Sequence, residues 1–227
     1  CAARGVFLHT DATQAAGKVP IDVRALGVHL LSCSAHKMHG PKGAGALYAR
    51  RRTPRVPLAP LIEGGGQERG LRSGTLNVPG IVGFGAACAI AAREMEADAV
   101  RVAALRERLE TGLLATAPGC WVNGARAPRL PGIANLTFPG LSADALLLGL
   151  RNVACSAGSA CASARLEPSH VLLAQGLAPE EARSSLRFSL GRTNTAAEVE
   201  TVIEEVGRTV RDLRAAGGSG MPDAASR

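Results

Sequence analysis

Aromatic residues are scarce in this chain: one Trp, one Tyr and four Phe make up 3% of its 227 residues. A core must therefore be packed from Leu, Val, Ile and Ala, and the apolar fraction of 46% is ample for that. Paired cysteine motifs are missing as well. The six cysteines, Cys1, Cys33, Cys88, Cys120, Cys155 and Cys161, form no C-x-x-C pair and show no zinc-ligand spacing. The pattern reads as a reducing, cytoplasmic setting, with Cys33 and Cys88 expected as small buried hydrophobes. No apolar run approaches the roughly 18–20 residues of a membrane span, and no signal-peptide pattern opens the chain, so no membrane partner is expected. The chain opens on Cys1, without a methionine, straight into Val6-Phe7-Leu8. That reads as a start in mid-domain with an N-terminal portion missing.

Acidic residues are outnumbered by basic ones, for a net charge of +7. The densest cluster is Arg50-Arg51-Arg52 with Arg55, beside Pro54 and Pro57. No aromatic is interleaved there and no nucleic-acid motif accompanies it, so it reads as a solvated basic turn and not as a nucleic-acid site.

Short apolar runs at Val6–His9 and Val28–Cys33 each end in polar residues, as strands do when chemistry sits at their C-terminal edge. Pro20, Asp22 and Gly27 mark a connection between them with one helical turn at most. Gly40-Pro41-Lys42-Gly43 is a turn leading to a return strand over Gly45–Ala49, and residues 63–75 form a glycine-rich loop. A long helical region runs from Val78 to about Ala117, with Val102, Leu105, Leu109 and Leu113 on one face of its second half. A strand over Ile133–Phe138, a helix over Ser142–Leu150 with Ser142 as N-cap, and a strand over Leu186–Leu190 follow. Thr195-Ala196-Ala197-Glu198 is a capping box, and Val199, Val202, Ile203, Val206, Val210 and Leu213 continue at helical spacing. The alternation predicts an α/β or α+β arrangement: a sheet domain over 1–92, a smaller domain over 93–216 and a disordered tail over 217–227.

Two residues in the first domain carry chemistry. Lys37, in Ser34-Ala35-His36-Lys37, follows Asp11-Ala12-Thr13-Gln14 by about two dozen positions. A lysine that can form a Schiff base and an aspartate that keeps a pyridine nitrogen protonated are the two protein groups pyridoxal phosphate most needs. Taken singly they say little, because an Asp after a strand is more often a turn former and most lysines are surface charges. Together they gain weight, since both follow apolar strands and emerge at one sheet edge. Gln14 can reach the cofactor's phenolic oxygen, and Ser34 and His36 can hold its phosphate. His36 and His39 lack a nearby third ligand for a metal.

The segments His9-Thr10-Asp11-Ala12-Thr13-Gln14, Ser34-Ala35-His36-Lys37 and Gly40-Pro41-Lys42-Gly43 resemble the cofactor-binding part of the NifS/IscS cysteine desulfurases. So do Gly64-Gly65-Gly66-Gln67-Glu68-Arg69-Gly70-Leu71-Arg72-Ser73-Gly74-Thr75, Ser156-Ala157-Gly158-Ser159-Ala160-Cys161 with Leu166-Glu167-Pro168-Ser169, and Ser185-Leu186-Arg187-Phe188-Ser189-Leu190-Gly191-Arg192. The blocks stand in the family's order over almost the whole chain. The resemblance implies the type I fold of pyridoxal-phosphate-dependent transferases, here the C-terminal part of the large sheet domain plus the smaller α+β domain.

It also implies roles. Lys37 would tether the cofactor and move the Cα proton, Asp11 would face the pyridinium nitrogen, and Gln14 the phenolic oxygen. Ser34 and His36 would contact the phosphate, joined by Thr75 from the partner subunit of a homodimer. Arg187 would hold the substrate carboxylate, for which a planar guanidinium is suited. Cys161, in a loop of Ser, Ala and Gly, would be the mobile thiol that takes sulfur from L-cysteine, leaving L-alanine, and passes it to an acceptor such as an iron–sulfur scaffold or a tRNA-thiolation protein. No resident metal is implied, and Cys161 alone is a candidate for transient contact with an iron–sulfur unit. A selenocysteine lyase shares the scaffold, and a binding subunit without catalysis is the alternative from another class. Family members carry a long segment before the region that starts here, with further cofactor contacts, so the 227 residues alone are expected to bind the cofactor poorly.

Overall fold

The structure, a computed structural model, describes residues 1–158 and 167–216. Cys161 and the tail 217–227, for which disorder is the expectation, lie outside the described residues. The chain gathers into two units, Cys1–Asp98 and Ala99–Arg227.

The first unit is built on a three-stranded sheet, β1 (His9–Asp11), β2 (Leu30–Ser34) and β3 (Gly45–Ala49), in that order. β1 runs parallel to β2, with His9 opposite Leu30 and Asp11 opposite Ser32. β3 returns antiparallel over the expected span. The first strand begins later than its apolar run does. Leu8 N–H donates to His29 Nδ1 at 3.0 Å, and Leu8 O accepts from both His29 and Leu30, so His29 occupies the groups that would extend the ladder backwards. A single 3-10 turn, Ala35–Met38, follows β2, and His39 closes it at φ 66° with its N–H on Ala35 O. The glycine-rich loop holds one further 3-10 turn, Glu68–Gly70, and is irregular otherwise.

The long helical region is one helix, α1 (Val78–Thr116). By length and composition alone it contains an 18-residue stretch apolar enough to cross a membrane, with mean hydropathy 1.3 and 11% of it buried. That corrects the expectation that no such stretch exists: glycines and alanines interrupt the large apolar residues without lowering the average much. Burial on the helix follows a stripe, with Gly80 and Ala87 buried and Phe84 half-buried between them. Cys88 sits one residue off that stripe and is exposed, contrary to its expected burial. Cys33 is half-buried against the small cluster of Ala16, Met38 and Ala87, and burial pushes its thiol up.

The second unit has an antiparallel sheet of β4 (Trp121–Val122), β5 (Ile133–Thr137) and β6 (Ser185–Ser189). Period-2 alternation puts Ala134, Leu136, Leu186 and Phe188 into the core, and Asn135, Thr137, Ser185 and Arg187 on the opposite face. Around the core lie α2 (Ala143–Gly149), α3 (His170–Ala174), α4 (Pro179–Arg183) and α5 (Ala196–Ala216). Ser142 caps α2 by accepting the Ala145 N–H at 3.1 Å. The capping box of α5 is complete: Thr195 N–H donates to Glu198 Oε2 at 2.8 Å, and Glu198 N–H to Thr195 Oγ1 at 3.2 Å. Its apolar stripe of Val199, Ile203, Val206 and Val210 is buried with Leu109, Leu113, Phe138 and Leu146. α3, α4 and β4 are too short to leave a periodic pattern, and of the three α4 alone carries a local start signal, Pro179 at its first position with Glu181 accepting the Ala178 N–H at 2.8 Å.

Candidate active site

Parallel pairing of β1 with β2 brings the ends of both strands to one edge of the sheet, which is where Asp11 and Lys37 stand. Asp11 is the last residue of β1 and is exposed. Its Oδ1 accepts the Thr13 N–H at 2.8 Å, an Asx turn that swings the chain off the strand. The Thr13 hydroxyl and then the Thr13 N–H, with a smaller contribution from His9, hold the carboxyl below its usual range against a small opposing effect of desolvation. A carboxylate kept ionised in this way suits a protonated pyridine nitrogen.

Ser34 ends β2 in an extended conformation, and the 3-10 turn then presents His36 exposed and Lys37 half-buried. Gln14 lies in the turn after Asp11, made by the N–H groups of Ala15 and Ala16 on Ala12 O and of Lys18 and Val19 on Ala15 O. Lys18 belongs to none of the sequence motifs that mark the site. Its ammonium donates to Gln14 Oε1 at 3.0 Å. The spacing i, i+4 was the available signal, and it needed the turn to be recognised as helical. Gly17 explains how this turn packs: its φ is +72°, and a Cβ there would lie 3.0 Å from Met38 Cβ, beside Lys37 in sequence.

Thr75 is exposed at the end of the glycine-rich loop. That loop is tied to itself: Gly66 N–H donates to Ser73 Oγ at 3.2 Å and Gly74 N–H to Gln67 Oε1 at 3.0 Å, with Ser73 buried.

Arg187 belongs to the second unit. It sits in β6 opposite Asn135, and its backbone forms a bridge with Ser156 through bonds of 2.6 and 3.2 Å. The guanidinium is half-buried, and its Nε is sequestered from water without a hydrogen-bond partner among the described residues. A buried orphan donor is costly, and an added carboxylate would satisfy it. Cys155, next to that bridge, is half-buried against the core, and burial raises its thiol pKa. Cys161 lies outside the described residues.

The donor set of the first unit thus fits pyridoxal phosphate: an ionised carboxylate, an amide and an amine at one sheet edge, with a hydroxyl and an imidazole beside the amine.

Comparisons with known proteins agree with this arrangement. The aminotransferase class-V family matches residues 1–202. A cysteine desulfurase IscS of Anaeromyxobacter dehalogenans is 54% identical over 210 residues, covering 92% of this chain and 52% of the relative. Among solved structures, the NifS-like protein of Rickettsia africae superposes with a TM-score of 0.81 at 35% identity, over 90% of this chain and 54% of that one. SspA, solved in complex with cysteine, gives a TM-score of 0.62 at 36% identity over 85% of this chain and 52% of its own. The chain spans about half the length of the curated relatives it matches.

Proposed function

Because the chain belongs to the aminotransferase class-V family, whose members depend on pyridoxal phosphate, we propose that it carries the cofactor lysine and the sulfur-accepting thiol of a cysteine desulfurase. The observation that carries this reading is the parallel register that sets an ionised Asp11 and Lys37 at one sheet edge. The relatives' names and the cysteine bound to SspA support the substrate class.

When bound, pyridoxal phosphate supplies an electron sink for negative charge at the substrate Cα. Asp11 holds the proton on the ring nitrogen, which keeps that sink effective. Gln14 donates to the phenolic oxygen, and Ser34 and His36 contact the phosphate, with Thr75 contributing across a homodimer. Arg187 takes the substrate carboxylate, satisfying the Nε that otherwise lacks an acceptor. Lys37 Nζ would tether the cofactor and would move the proton from the substrate Cα. The Cys161 thiolate attacks the substrate sulfur: a new S–S bond forms, the substrate Cβ–S bond breaks, and its electron pair stays with Cβ, which takes a proton to give L-alanine. The terminal sulfur then passes to an acceptor protein of iron–sulfur assembly or tRNA thiolation, in a cytoplasmic setting.

Two variants test the reading. Lys37→Ala abolishes the visible absorbance that appears on adding pyridoxal phosphate. Cys161→Ser keeps the absorbance and yields no sulfide from cysteine. Sulfide release by the serine variant at the parental rate would remove Cys161 from the mechanism.

A further inference from the structure

The turn after β1 carries a cation that the proposed chemistry does not use. Lys18 is half-buried, and its ammonium donates to Gln14 Oε1 at 3.0 Å from four residues away. Burial first, and then the charge of Lys37, lower its pKa from the usual lysine value. Gly17, just before it, lets the turn pack on Met38, since any Cβ at that position would press on that side chain.

An ammonium only donates hydrogen bonds, whereas an amide has one end of each kind. With Oε1 turned to Lys18, the Nε2 hydrogens are what Gln14 presents on its other side as donors to a third group. A glutamine without such a neighbour could present either end, as the two look alike until their partners are known. The phenolic oxygen of the bound cofactor, when ionised, accepts and does not donate. Only one orientation of the amide serves it.

We propose that Lys18 is a positioning residue, fixing the Gln14 amide so that Nε2 faces the phenolic oxygen of the bound cofactor. The proposal rests on the cofactor reading above. It assigns Lys18 no contact with substrate.

The test uses the full-length protein with Lys18→Met, which keeps the length and loses the donor, and Lys18→Arg, which keeps a donor. Without cofactor, the side-chain amide resonances of Gln14 move in Lys18→Met and return close to parental positions in Lys18→Arg. With pyridoxal phosphate, Lys18→Met retains the Lys37-dependent absorbance but binds about tenfold more weakly, the loss expected for one hydrogen bond. Gln14→Ala shows a similar loss, and the double variant loses no more than Gln14→Ala alone. Parental affinity in Lys18→Met, or losses that multiply in the double variant, would overturn the proposal, because Lys18 would then act without Gln14. Absence of Lys37-dependent absorbance in the parent protein would overturn the cofactor reading, and this inference with it, whatever the amide resonances do.

Discussion

Gly17 shows how much one residue decides around Lys37. Its φ of +72° and the 3.0 Å approach of a Cβ to Met38 leave no unstrained place for a side chain. Gly17→Ala is expected to cost about 1–3 kcal/mol in urea unfolding, from left-handed backbone strain with a close contact added. Asp11 behaves differently, because its turn and its charge are separable. Asp11→Asn keeps an oxygen for the Thr13 N–H and so retains the turn and the far-UV spectrum. It loses the anion, and under the proposed function sulfide release from cysteine falls to background. Both residues lie within a few positions of a motif visible in the sequence. The orientation of Gln14 does not, since it depends on which end of the amide Lys18 meets.

At the level of elements, the ends of α5 and α2 were legible because caps are local. A side chain and a backbone N–H three residues apart meet whatever surrounds them. Thr195→Ala is expected to cost about 1 kcal/mol in thermal or urea unfolding. The Thr195 N–H, followed by Asn194 and the Thr195 hydroxyl, holds the Glu198 carboxyl below the ordinary value of 4.5. A carboxyl with a folded pKa below its unfolded one stabilises above the unfolded value and loses that contribution as pH falls through the folded value. The parent protein should therefore lose stability below about pH 4.5 more steeply than Glu198→Gln does, which keeps an acceptor for the Thr195 N–H but cannot titrate, read as melting temperature against pH. Cys88 and the start of β1 are the elements' lessons in the other direction. An apolar stretch on a 39-residue helix names no buried face until something packs on it. Likewise β1 could not be bounded without knowing that His29 would engage Leu8.

Across the whole molecule the two units differ in how well they cover apolar surface. The second buries Leu113, Leu136, Phe138, Leu146, Leu186, Val206 and Val210 to 2% exposure or less. Close approach of α1 and α5 helps: a Cβ on Gly112 would collide with Ile203, and one on Gly207 would lie 2.8 Å from Thr116 Cβ. In the first unit Leu61 is 91% exposed and Leu47 55%, with Phe7 and Ile62 also open. The 227-residue chain is accordingly expected to bind an apolar fluorescent dye, and Leu61→Ser, at its most exposed large apolar side chain, to weaken that binding without lowering the melting temperature. By itself the sequence determined the chemistry on offer: Lys37, Asp11, Gln14 and Arg187 in ordered blocks, the caps of α2 and α5, and the apolar stripe of α5. Each depends on residue type and on neighbours within a turn or two, which chain order contains. The tertiary structure decided the rest. It set β1 parallel to β2, turned Lys18 toward Gln14, left Arg187 Nε without an acceptor among the described residues, and exposed Cys88. Those outcomes turn on which distant segments pair and which exclude water, and no local pattern records that choice.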